Sequence, residues 1–170
     1  MLVGREVELA VLDSLVSRTA AGAGGVVLLA GEPGIGKTRL GQAGTDRAGG
    51  ATVSWGACRE AVGAPPLWPW MPVLRRLGGT PIAAEEADSA AAEFRFYERV
   101  ERALQKSAAA SPYLIVIDDV HRADEASLRL LAYLSETLWP TPVGMIVTYR
   151  DTEVAPASGR PGPDTLRDGR

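Results

Sequence analysis

The sequence predicts a three-layer α/β/α sandwich built around a mostly parallel β-sheet. Its 170 residues are enough for one domain with a substantial core, and 46% of them are hydrophobic. Continuous apolar segments, typical of strands buried in a parallel sheet, alternate along the chain with segments of helical periodicity. This alternation indicates strands joined by helices that cover both faces of the sheet.

Four strands and five helices follow from these patterns. The strands are predicted at 26–30, 52–57, 113–118 and 143–149, and the helices at 5–21, 38–48, 73–77, 91–109 and 125–138. The first strand is apolar throughout, so we expect both of its faces to be buried. The second alternates, with Val53, Trp55 and Ala57 at every other position. That period indicates one covered face and a position at or near the edge of the sheet.

The composition changes along the chain and suggests its organisation. We assign 1–154 to the folded core, in which the acidic, alanine-rich segment 80–89 forms a loop or linker. Residues 155–170 contain three prolines and three glycines but few apolar residues, so we expect a disordered tail.

Composition also excludes several classes of function. The formal net charge of −3 provides no general positive field, and we expect no direct nucleic-acid binding. The single cysteine, Cys58, excludes an internal disulfide and is compatible with a reducing cytoplasm. The first residues lack the layout of a signal peptide, and no apolar run is long enough to span a membrane. We therefore expect a cytoplasmic location and no membrane partner.

The segment Gly31–Thr38 has the pattern G-x-x-x-x-G-K-T and follows the first predicted strand. This pattern is typical of a loop that binds phosphate groups. Glycines let the backbone approach an anion closely, and the amides at the start of the next helix point towards it. Lys37 supplies a positive charge for the β- and γ-phosphates, and the Thr38 hydroxyl is a suitable oxygen ligand for Mg²⁺.

Two further strands end in polar residues. The strand at 113–118 leads into Asp118 and Asp119, and the strand at 143–149 leads into Arg150. In open α/β sheets, ligands bind at the carboxyl ends of the strands. Asp118 suits a Mg²⁺ site, directly or through water, Asp119 suits a role in polarising a water, and Arg150 suits a γ-phosphate contact. For His121, the only histidine, we favour a hydrogen-bonded structural role over catalysis.

Together these residues resemble the nucleotide-binding module of AAA+/STAND-type P-loop ATPases. The closest resemblance is to the module at the front of LuxR-type (MalT-like) bacterial transcriptional regulators. The matching stretches are 2–6, 31–40, 63–70, 118–128 and 148–150, with Arg122 where that family often has tryptophan. The phosphate loop alone is shared by a whole superfamily, whereas the combination is specific.

The resemblance implies ATP and Mg²⁺ as cofactors and a role for each matching residue. Lys37, Asp119 and Arg150 would be catalytic, with Asp119 acting on the attacking water and Arg150 sensing the γ-phosphate. Thr38 and Asp118 would hold the metal. The nucleotide itself would be bound by Val3, Gly4, Arg5, Gly31, Glu32, Pro33, Gly34, Ile35, Gly36, Lys37, Thr38 and Arg39.

The resemblance also implies features that we do not find. That family has a five-stranded sheet in the order 5-1-4-3-2 and a helical lid, but no fifth strand and no lid follow the fourth strand here. The strand before the phosphate loop would then lie at a sheet edge, which favours association with another copy or with other regulator domains.

Three functions remain open from the sequence. The first is ATP binding with slow, Mg²⁺-dependent hydrolysis, used as a nucleotide switch in a signalling or transcriptional regulator. The second is a nucleotide-binding or protein-interaction fragment without catalysis. The third is a small-molecule P-loop kinase. The guanine-reading N-K-x-D motif of GTPases and the L-S-G-G-Q-like signature of transporter ATPases are both absent from the sequence.

Overall fold

Four parallel strands form one sheet in the computed structural model, which describes residues 4–58, 65–78 and 90–150. They are β1 (Gly25–Ala30), β2 (Thr52–Ala57), β3 (Tyr113–Asp118) and β4 (Val143–Tyr149). Their order across the sheet is β1-β4-β3-β2, and each neighbouring pair is parallel. The predicted α/β fold and the predicted 1-4-3-2 part of the strand order are both confirmed.

Five α-helices occur among the described residues, within about two residues of their predicted bounds. They are α1 (Glu6–Ala20), α2 (Lys37–Arg47), α3 (Met71–Arg76), α4 (Ala90–Ala108) and α5 (Glu125–Thr137), with short 3-10 turns at Trp68–Trp70 and Val120–Arg122. Helix α3 begins two residues earlier than predicted, at Met71, with Pro72 in its first turn. Proline is tolerated there because the N–H groups of a first turn have no partner within the helix.

The helices cover the sheet from both sides, so the predicted three layers are present. Helices α1 and α2 bury Leu12, Leu15 and Leu40 against one face, where Leu114 and Val116 of β3 point towards them. Helices α3, α4 and α5 cover the other face, with a core that includes Trp70, Leu104, Ile115, Leu130 and Leu134. Successive residues of β3 therefore enter different cores, as its uninterrupted apolar sequence requires.

The prediction of one covered face for β2 is wrong, although its position at the edge of the described sheet is as predicted. Ser54 and Gly56 are the buried residues, whereas Val53, Trp55 and Ala57 are half-buried. Ser54 shares a hydrogen bond of 2.7 Å with the buried Tyr113 hydroxyl. A Cβ at Gly56 would lie 1.8 Å from the Pro69 carbonyl oxygen. A glycine is needed here because the 3-10 turn packs directly on the strand.

Strand β1 pairs only with β4 among the described residues, so it lies at the other edge of the sheet. The prediction that both of its faces are buried is wrong at Leu28, whose exposed fraction is 61%. None of the described helices combines the length and the hydropathy that a membrane-spanning helix needs. The predictions for 80–89, 155–170 and Val3 concern residues outside the described ranges.

Two glycines bring α2 close to the sheet. A Cβ at Gly41 would lie 3.1 Å from the Trp55 ring, and one at Gly44 would lie 2.9 Å from Ile146 Cδ1. Both glycines are buried. The two glycines lower the helix propensity of α2, but they let the helix pack closely on the sheet. Because α2 begins directly after the phosphate loop, this packing also positions the loop.

Candidate nucleotide-binding site

The loop between β1 and α2 has the backbone that its glycines permit. Gly34 and Gly36 have φ angles of 79° and 96°, and a Cβ built on either of them meets no atom within 4 Å. Helix α2 begins at Lys37, immediately after Gly36. The first N–H groups of a helix have no acceptor within it, so this turn can donate to an anion in the loop.

The Lys37 side chain closes the loop. Its ammonium group donates to the carbonyl oxygens of Gly31 at 2.7 Å and Glu32 at 2.9 Å. The residue is buried, with an exposed fraction of only 7%. A lysine ammonium has three N–H donors, so two are used by the loop and one is left for a ligand.

Arg5 joins the start of α1 to the same loop. Its guanidinium donates to the Ile35 carbonyl oxygen at 3.0 Å and to the Glu8 carboxylate at 2.5 Å. The hydrogen bond from Arg5 lowers the pKa of Glu8 below its ordinary value. The resemblance implies that Gly4 and Arg5 lie near the adenine of a bound nucleotide. In the structure Arg5 contacts the loop, and the sequence does not indicate this contact.

Asp118, at the end of β3, lies beside the start of α2. Its buried carboxylate accepts a hydrogen bond of 2.9 Å from the Thr38 hydroxyl and one of 2.6 Å from the Thr148 hydroxyl. Burying a carboxylate is costly unless hydrogen bonds replace its water. The two threonines provide such bonds, and they connect the phosphate loop, β3 and β4 at one point.

Asp119 follows in a backbone conformation that is uncommon for a residue other than glycine. Its φ is 57°, in the left-handed region. Its N–H donates to the Thr148 hydroxyl oxygen at 2.8 Å. The side chain is 34% exposed, and its Oδ1 lies 3.9 Å from Nδ1 of the buried His121 ring. The two neighbouring aspartates are thus different, since one is buried and the other reaches solvent.

Cys58 continues from β2 into the same region, and its N–H donates to the Asp118 carbonyl oxygen at 2.8 Å. Burial, followed by the negative charges of Asp124, Asp119 and Asp118, raises the pKa of the Cys58 thiol to about 12. Burial and the neighbouring carboxylates therefore favour the protonated thiol at neutral pH.

The structure thus brings most of the predicted site residues to one edge of the sheet. Lys37, Thr38, Asp118 and Asp119 are connected there through the contacts described above. Arg150 directly follows β4 at the same edge, and Arg39 is exposed on α2. Thr148 had no role assigned from the sequence. The signal for it was a polar residue near the end of an apolar strand, at the edge where ligands bind.

These residues fit a nucleoside triphosphate and Mg²⁺. Mg²⁺ in phosphate sites usually takes one or two protein oxygens, several waters and the phosphate oxygens. Thr38 and Asp118 offer a hydroxyl and a carboxylate 2.9 Å apart, at the mouth of a loop that carries a lysine. A parallel sheet with this loop after its first strand defines the chain as a P-loop NTPase fold.

The family is shown by the sequence as well. Residues 1–147 match the AAA ATPase domain, so the chain belongs to the AAA ATPase domain family. Membership of this family supports nucleotide binding and ATP hydrolysis. No curated protein matches the chain.

The chain is similar to chains of many solved structures, two of which are named here. One is the Aeropyrum pernix ORC2 protein in ADPNP–ADP complexes, with 21% identity, a TM-score of 0.53, and coverage of 89% of this chain and 42% of that one. The other is a single-residue variant of Thermotoga maritima RuvB, with 18% identity, a TM-score of 0.48, and coverage of 90% and 41%. The chain spans about two fifths of the length of either structure.

Proposed function

We propose that the chain binds ATP with Mg²⁺ and hydrolyses it slowly, as a nucleotide-dependent switch. The observation that carries the proposal is the hydrogen bond of 2.9 Å between the Thr38 hydroxyl and the Asp118 carboxylate. It joins the phosphate loop to the strand that ends in two aspartates. The AAA ATPase family match supports the same function.

The chain's own residues have separate tasks in this proposal. The loop amides and the Lys37 ammonium hold the phosphates, and Thr38 with Asp118 holds the metal ion. Bound Mg²⁺ would neutralise phosphate charge. Asp119, whose side chain reaches solvent, orients a water for attack on the γ-phosphate. Arg150 contributes positive charge near that phosphate from the end of β4.

A regulatory role is the finer part of the proposal. We infer that the module belongs to a signalling or transcriptional regulator of the STAND and LuxR type, acts in the cytoplasm, and associates with another copy or with other domains. Among the described residues β1 pairs along one side only and its Leu28 is exposed; both features support association, because an unpaired strand is a template for further pairing. Light scattering of the purified chain, with and without nucleotide, measures this association as a change in molecular mass.

Phosphate release by the purified chain tests the enzymatic part. ATP is titrated with Mg²⁺, and the wild type is compared with Lys37→Ala. Losing one charge-assisted contact should weaken nucleotide binding by about 1.5–3 kcal/mol, or roughly tenfold to more than hundredfold. Release without an added phosphate acceptor separates ATP hydrolysis from a kinase reaction.

The chain offers a matched control, because its only other lysine, Lys106, is exposed on α4. Lys106→Ala removes the same charge at a distance from the loop and should leave binding and turnover unchanged. Equal phosphate release by wild type and Lys37→Ala would contradict the proposed hydrolysis.

A second candidate function is nucleotide binding without turnover. It is favoured by the Lys37 ammonium, which is engaged with the carbonyl oxygens of Gly31 and Glu32 rather than pointing freely out of the loop. Nucleotide raises the melting temperature of a protein that binds it only when folded. Such a rise without phosphate release would favour this function.

A further inference from the structure

Thr148 is a polar residue within the core of the sheet. It lies in β4 and is fully buried, as are the two apolar residues before it, Ile146 and Val147. A buried hydroxyl is costly unless it forms hydrogen bonds, so its partners show what it does there.

The partners of Thr148 are the two consecutive aspartates at the end of β3. Its hydroxyl donates to Asp118 Oδ1 at 2.6 Å and accepts from the Asp119 N–H at 2.8 Å. A hydroxyl has one donor and can accept, and here both capacities are directed at the same site. One side chain of β4 therefore contacts both the carboxylate of one aspartate and the backbone of the next.

We propose that Thr148 is a positioning residue for Mg²⁺-nucleotide, which it serves by holding the Asp118 carboxylate and the Asp119 backbone in their observed orientations. This inference rests on the proposed function of the site. Thr148 acts through the aspartates and does not itself contact the metal ion or the phosphates.

The geometry explains why this needs a hydroxyl. The Asp118 carboxylate is held from one side by Thr38 and from the other by Thr148, so its plane is set before a ligand arrives. Asp119 has a φ of 57°, a conformation that an aspartate adopts only at a cost, and the hydrogen bond from its N–H helps to hold it. Without the hydroxyl, the carboxylate loses a charge-assisted partner and is free to turn.

The test measures the Mg²⁺ dependence of ADP affinity, which does not require hydrolysis. The dissociation constant of ADP is measured by calorimetry with Mg²⁺ and with EDTA, and the ratio of the two is the readout. Thr148→Val removes the hydroxyl at nearly constant shape, Thr148→Ala removes it without adding a methyl group, and Thr148→Ser keeps it. Thr19→Val is the matched control, because Thr19 is also buried and its hydroxyl donates to the Leu15 carbonyl oxygen, within α1.

We expect Thr148→Val and Thr148→Ala to reduce the Mg²⁺-dependent gain in ADP affinity by about tenfold, the effect of one charge-assisted hydrogen bond. Affinity in EDTA should change little, and Thr148→Ser and Thr19→Val should keep the wild-type ratio. A general loss of stability would not produce this pattern, since it would affect both conditions.

Three results would overturn the inference. The first is a folded Thr148→Val or Thr148→Ala variant whose ratio of ADP dissociation constants, in EDTA and in Mg²⁺, equals that of the wild type. The second is a serine variant that loses the ratio as valine does, because the hydroxyl would then not be the cause. The third is a wild type that binds ADP equally with and without Mg²⁺. A wild type that binds no nucleotide in either condition would instead refute the proposed function itself.

Discussion

Replacing Gly44 by alanine tests how closely α2 must approach the sheet. In an exposed helix, this change stabilises by about 1 kcal/mol through helix propensity. Here the added Cβ would lie 2.9 Å from Ile146 Cδ1 and 3.4 Å from a Leu12 methyl. Ordinary carbon contacts are about 3.5–4.0 Å, so Ile146, which has no exposed surface, would have to move by at least about 0.6 Å.

The cost of overpacking a core is about 1–3 kcal/mol, which exceeds the gain from propensity. We therefore expect Gly44→Ala to destabilise the protein by about 1 kcal/mol, measured by urea unfolding followed by circular dichroism. Ile146→Val alone should cost about 0.5–1.5 kcal/mol. The double variant should lose less free energy of unfolding than the two single variants lose together, because the new Cβ enters the space left by Cδ1.

A stabilising Gly44→Ala, or single changes that simply add in the double variant, would refute this reasoning. Additivity is the expected result for residues that do not share a contact, so the double-mutant cycle measures the contact itself. Because α2 begins at Lys37, nucleotide affinity measured on the same variants reports whether a shift of the helix reaches the phosphate loop.

Two further changes are predicted. Gly56→Ala would place a Cβ 1.8 Å from the Pro69 carbonyl oxygen and should cost about 3 kcal/mol or more in urea unfolding, whereas exposed Gly49, with no atom within 4 Å of its Cβ position, should tolerate alanine. Asp124 caps α5, because its carboxylate accepts a hydrogen bond of 2.9 Å from the Ser127 N–H. Burial raises the pKa of Asp124, but the hydrogen bonds from Ser127 and Leu67 outweigh burial, so the net effect is a lowered pKa. Asp124→Ala should therefore cost about 1–2 kcal/mol at neutral pH. A lowered pKa stabilises the folded state fully above the unfolded value of about 3.9, and this contribution is lost as pH falls through the lower pKa of the folded state. The difference between wild type and variant should therefore shrink in that range. A difference of the same size at pH 7 and at pH 2 would contradict the role of the ionised Asp124 carboxylate.

The strands and the phosphate loop were predictable because each depends on local sequence. An uninterrupted apolar run such as 113–117 has few alternatives to a buried strand. The glycines at 31, 34 and 36 with Lys37 form a pattern whose backbone requirements few other residue types can satisfy. The placement of Asp118 beside this loop also follows from the sequence, because parallel strands present their carboxyl ends at one edge.

The covered face of β2 was not predictable in this way. Its alternation of Val53, Trp55 and Ala57 with Ser54 and Gly56 indicates which side chains are apolar, but not what packs on the strand. The Pro69 backbone and the Tyr113 hydroxyl cover one face at Gly56 and Ser54. Val53 and Trp55 on the other face pack against the core that α1 and α2 form, so both faces are covered. These contacts involve segments more than ten residues away, and their positions depend on the whole fold.

The fold class, the strand bounds to within one residue and the residue types of the candidate site all follow from the linear pattern of residues. How those residues are held is visible only in the folded chain: Lys37 lies against the loop carbonyls, Arg5 against Ile35, and Thr148 between the two aspartates. The two kinds of information differ in the distance along the chain over which the forces act. Backbone propensity and hydrophobic periodicity act over neighbouring residues, whereas a hydrogen bond between residues 30 apart forms only after the strands that carry them have paired.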